Sequence, residues 1–81
     1  MTNYNGWANK ATWNISLWIN NDEPIYREAV KFMESYKGRR PYVDFIKHIG
    51  LTQARTPDNF KFMGYSLNLK ELNEMMKELV A

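Results

Sequence analysis

The stretch Asn9-Lys10-Ala11-Thr12-Trp13-Asn14-Ile15-Ser16-Leu17-Trp18-Ile19-Asn20-Asn21-Asp22-Glu23-Pro24 decides the fold, because it admits two readings. In one, Trp13, Ile15, Leu17 and Ile19 alternate with other residues, the period of a half-buried strand. In the other, Trp13 and Leu17 lie four apart on one helix face, and Ile15, Trp18 and Ile19 widen that face. Trp18 breaks the alternation, and no partner hairpin lies nearby. A helix over 10–20 is therefore expected, with Asn9 as its cap.

Working outward, Asp22 is a good N-cap for a second helix, Glu23 favours its positive end and Pro24 suits its first turn. Ile25, Ala29, Phe32/Met33 and Tyr36 carry the apolar spacing to about Lys37, where Gly38 is expected as the left-handed terminator. Pro41 opens a third helix over 41–49, with Tyr42, Phe45, Ile46 and Ile49 on its apolar face and Gly50 at its end. Residues 51–66 read as irregular, with a turn at Thr56-Pro57-Asp58-Asn59. Phe60, Phe62 and Tyr65 suggest a short extended piece within 60–65, without an obvious mate.

The last helix begins at Asn68. Glu71 three residues on completes the pattern of a capping box, and Leu67 with Leu72 that of a hydrophobic staple. Leu69, Leu72, Met75/Met76, Leu79 and Val80 form its apolar stripe. The expectation is an all-α fold: one small domain over 1–81, about four short helices, and an irregular loop before the last. Tyr4 and Trp7, in the irregular start, should pack back onto the core.

Composition narrows the function. The 81 residues include three Trp, five Tyr and four Phe, but no Cys and a single His. A chain of this length has a small core, and some of its aromatic side chains should stay at the surface as binding anchors. Thiolate metal sites and disulfides are excluded, and a reducing compartment fits. His48 alone cannot build a zinc site, so no metal or cofactor is expected. Ser16, Ser35 and Ser66 lie in no nucleophile-turn motif, and the glycines 6, 38, 50 and 64 are too dispersed to cradle a phosphate. Asp22-Glu23 is explained by a helix start, and Glu71, Glu74 and Glu78, interleaved with Lys70 and Lys77, by a solvated helix face. An enzyme is not expected. No apolar run approaches a membrane span, and Met1–Gly6 has neither a basic nor an apolar leader region, so neither a membrane nor a secretory address is expected.

The net charge of +2 is unevenly spread. Residues 37–61 carry Lys37, Arg39, Arg40, Lys47, Arg55 and Lys61 against Asp44 and Asp58, a net +4 between two zones of −1. Lys37-Gly38-Arg39-Arg40-Pro41-Tyr42 is the most suggestive polar segment. Its plain reading is a solubilising loop at a helix end. Its functional readings are a protein contact through Arg39, Arg40 and Tyr42, joined by Trp7 and Trp18, or a nucleic-acid contact. The latter would use Lys37, Arg39, Arg40, Lys47 and Lys61, with Tyr42 stacking on a base. The Leu/Met stripe of the last helix offers a homo-oligomer contact, although intramolecular core is the commoner use.

The Asn9–Glu23 stretch resembles an N-terminal signature, Asn-x-x-Thr-Trp-Asn-x-x-Leu-Trp-Ile-x-Asn-Asp-Glu, of small uncharacterised proteins from bacteriophages and other mobile elements. Thr56-Pro57-Asp58-Asn59 and Leu69-x-x-Leu72 are similar to that group's C-terminal half. Two positions depart: Gly often stands where this chain has Asn59, and where it has Pro24. The resemblance implies a small accessory protein acting in a bacterial cytoplasm against a host system, and it supplies no catalytic residue. With the excess aromatics and absent catalytic groups, the expectation is a module that binds a host protein surface. Thr12, Asn14 and Asn21, beside the Trp residues, are read first as caps and hydrogen bonds that fix the first helix.

Overall fold

Buried positions three and four apart settle the ambiguous stretch. In the computed structural model, which describes residues 6–81, Thr12, Ile15, Ser16 and Ile19 are buried along one face of helix α1 (Lys10–Asn21). The apolar face is thus rotated from the expected one, since Trp13 and Leu17 are only half-buried. The hydroxyls make this affordable: Ser16 Oγ donates to the Trp13 carbonyl (2.7 Å) and Thr12 Oγ1 to Asn9 Oδ1 (2.7 Å). Asn9 caps the helix by accepting the Thr12 N–H (2.8 Å).

Asp22 serves two helices. Its N–H closes α1 on the Trp18 carbonyl (3.0 Å), and its Oδ1 caps α2 (Glu23–Glu34) by accepting the Ile25 N–H (3.2 Å). Helix α2 stops three residues before Lys37. Gly38 is not left-handed; the glycines with positive φ are Gly6 and Gly50. What Gly38 supplies is space, because a Cβ there would lie 2.3 Å from Tyr36 Oη. Tyr36 folds back over this loop, donating to the Asp44 carboxylate and accepting the Arg40 N–H (3.0 Å).

Helix α3 (Pro41–His48) ends in a Schellman pair: the Leu51 N–H reaches the Ile46 carbonyl (3.0 Å) and the Gly50 N–H that of Lys47 (3.2 Å). Gly50 has φ +74° there, as expected of a left-handed terminator. The following loop makes one isolated antiparallel bridge, Arg55 to Lys61, and no strand forms among the described residues. The extended piece therefore finds its mate within its own loop.

Helix α4 (Leu69–Glu78) is capped by Asn68 Oδ1 on the Glu71 N–H (3.0 Å). The reciprocal half of the capping box is replaced. Glu71 instead accepts the Ala8 N–H (2.9 Å), and the Asn68 N–H goes to Thr12 Oγ1 (2.9 Å). Leu67 and Leu72 are both buried, as a staple requires.

The four helices make an all-α fold in which α2 and α4 each touch every other helix, while α1 and α3 do not touch. Ile15, Ile19, Ala29, Phe45, Ile46 and Leu72 fill the centre. Leu72, Met75 and Met76 are buried in this same core, which is the commoner use of such a stripe. Only Leu69 and Val80, at its ends, stay exposed. Trp7 packs on the core; Tyr4 lies outside the described residues.

Candidate functional site

The polar residues of the first motif form two clamps. In one, Asn14 Nδ2 donates to Asp58 Oδ2 (2.8 Å), Trp18 Nε1 donates to the same oxygen (3.1 Å), and Thr56 Oγ1 donates to Asn14 Oδ1 (2.8 Å). The Asn14 and Trp18 bonds hold the Asp58 carboxyl below its ordinary pKa, and Lys10 adds a weaker pull. Within the turn, the Thr56 N–H meets the Phe60 carbonyl (2.8 Å), and Asn59 adopts φ +71°. In the other clamp, Asn9 Nδ2 donates to the Ser66 carbonyl (2.6 Å), while Thr12 Oγ1 joins the caps of α1 and α4. Thr12 and Asn14 are thus structural, as read. Asn21 is exposed at the end of α1.

These clamps hold the 51–67 loop so that it presents side chains to solvent. Tyr42 Oη donates to the Phe62 carbonyl just before residues 63–65, and Asn9 grips Ser66 just after them. Between the two anchors, Met63 is exposed and Tyr65 is fully so, beside a groove of about 280 Å³ that Thr52, Gln53, Ala54 and Lys61 also line.

A second groove, of about 620 Å³, lies between α2 and α3. Phe32 is its central ring, with Tyr36 at 5.0 Å, His48 at 5.1 Å and Phe45 at 5.5 Å between centroids. Lys31 and Lys37 line it together with Glu28. Burial, and then the Asp44 hydrogen bond, push the Tyr36 phenol above its ordinary pKa. A third groove, of about 560 Å³, places Trp7 with Met75 and Leu79 against Glu71, Glu74 and Glu78.

Against this geometry, the expected site residues divide. Lys37, Arg39 and Arg40 are exposed on the α2–α3 loop, and Lys47 is exposed in the last turn of α3. Lys61 lines the Tyr65 groove and not the α2–α3 one. Trp7 and Trp18 are half-buried, and the Trp18 N–H is taken by Asp58. Tyr42 must be corrected, both as a protein contact and as a stacking ring. It is fully buried between Pro41 and Val43 on the inner face of α3, and burial pushes its phenol pKa up.

A family model described as "Family of unknown function (DUF7249)" matches residues 1–81. The chain belongs to this family. No curated protein and no solved structure matches it. The family's description assigns no residue a role, so the surfaces of this member are judged on their own geometry. No group of three or more His, Cys, Asp or Glu placed to hold a metal occurs among the described residues, and no helix there is long and apolar enough to cross a membrane.

Two features escaped the sequence reading. Tyr65 carried a signal, since an aromatic between Gly64 and Ser66 just ahead of a capped helix has no periodic partner. Phe32 and Tyr36 share the i,i+4 spacing of α2, but their meeting with His48 carried no signal, because only the packing of α2 on α3 brings it to them.

Proposed function

We propose that this chain is a small protein-binding module of the bacterial cytoplasm that occupies a host protein surface through its 63–65 loop. The observation that carries the reading is the full exposure of Tyr65 on a loop tied at both ends. An aromatic ring held in solvent by a rigid support loses little conformational entropy on binding, which is the usual property of an interface anchor. Met63 beside it adds an adaptable apolar surface. The polar residues of the first motif support the reading from the other side, because their hydrogen bonds build and brace that loop. The resemblance to phage accessory proteins supplies the cellular setting.

Affinity capture from nuclease-treated bacterial lysate tests it. The wild-type chain should recover one protein reproducibly, and a Tyr65→Ala/Met63→Ser variant with an unchanged urea midpoint should recover none. Equal recovery by both would refute the reading.

A further inference from the structure

The α2–α3 groove combines two properties that the 63–65 loop lacks. Its floor is a set of packed rings, with His48 exposed and tilted by 35° against Phe32. Lys31 and Lys37 line the groove against Glu28, Arg39 and Arg40 follow on the same loop, and Lys47 precedes His48 in sequence. None of these five cationic side chains forms a hydrogen bond or ion pair among the described residues, where the ion pair is Arg27 with Glu23. Arg40 engages Tyr36 through its backbone N–H, which leaves its guanidinium uncommitted.

We infer that this groove binds single-stranded nucleic acid, with a base on the His48 face and phosphates on Lys37, Arg39 and Arg40. Rings and unpaired cations together match a nucleotide, which offers a planar face and an anion on one short repeat. An acidic peptide would satisfy the cations and leave the ring face without a stacking partner. A duplex hides its base faces. It would also bring a second row of phosphates towards α2, where Glu23 and Glu34 are exposed in addition to Glu28 in the groove itself. The groove's volume of about 620 Å³ suits one or two nucleotides. This site is separate from the Tyr65 loop, so either can fail without the other.

Fluorescence anisotropy with a short labelled oligothymidylate tests the inference. Binding through three to five phosphates should weaken roughly 20- to 130-fold between about 50 and about 200 mM salt. Arg39→Ala/Arg40→Ala should flatten the log–log salt slope by about 1.4. His48→Ala, at an exposed position, should weaken binding at least about fivefold at unchanged salt slope. A duplex of equal length and an oligoglutamate peptide should both compete poorly. Any of four results overturns the inference: no binding at low salt, a duplex that binds as tightly, a peptide that competes as well, or a His48→Ala variant that binds like wild type. Circular dichroism and urea midpoints matched to wild type confirm that each variant is folded.

Discussion

Asn14 and Asp58, 44 residues apart in the chain, are joined by a 2.8 Å hydrogen bond from Asn14 Nδ2 to Asp58 Oδ2. That bond ties the only specific sequence motif of the front half to the turn signal of the back half. It makes α1 the support on which the irregular loop rests, and the loop in turn carries the exposed Tyr65.

The Asp58 clamp should be acid-sensitive. Its carboxyl is held below the ordinary value by Asn14 and then Trp18, so the folded state favours the ionised form. The stabilisation is complete above the unfolded value of about 3.9 and is lost as pH falls through the lower folded value. Thermal melts followed by Trp fluorescence should show this loss in acid, and Asp58→Ala should remove that part of the acid dependence. An unchanged acid profile in the variant would disprove the clamp's role.

Thr56→Val keeps the shape of a buried side chain and removes its hydroxyl. The hydroxyl donates to Asn14 Oδ1 (2.8 Å) and accepts the Phe60 N–H (3.2 Å). The variant should lose about 1–3 kcal/mol in urea unfolding, because both partners are left short of a bond in a buried setting. Thr12→Val should cost a similar amount, about 1–3 kcal/mol, since it uncouples the caps of α1 and α4.

Asn59 occupies the left-handed region at φ +71°, where a β-branched residue is strained. Asn59→Val should destabilise by about 1–2 kcal/mol, and Asn59→Gly should be tolerated. Equal urea midpoints for the two variants would contradict it.

Tyr42→Phe should lower stability by about 1–2 kcal/mol through loss of the bond to the Phe62 carbonyl. Oligothymidylate affinity should be unchanged, because the ring is fully buried. An affinity loss in a folded Tyr42→Phe variant would return this residue to the binding surface.

The helices were legible because their ends are written in local chemistry. Asn9, Asp22 and Asn68 each cap where their side-chain type and position say they should. The rotation of α1 was not legible, because its buried stripe includes Thr12 and Ser16, which hydropathy alone places outside. Gly38 misled for a different reason. A glycine after a helix suggests a left-handed turn, whereas here it makes room for the Tyr36 ring. Tyr42, next to two arginines in sequence, is buried together with Pro41 and Val43 at the start of α3, while Arg39 and Arg40 before the helix are exposed. The Arg39 and Arg40 positions were found, but the contacts of Phe32 with Phe45 and His48 beside them come from α2 and α3 packing together.

Photo-crosslinking at position 65 tests the central claim most directly. With Tyr65 replaced by benzoylphenylalanine in a bacterial cell, irradiation should yield one discrete protein adduct. The same group at Tyr26, also exposed but on α2, should yield none. Adducts absent from position 65, or identical at both positions, would contradict the account.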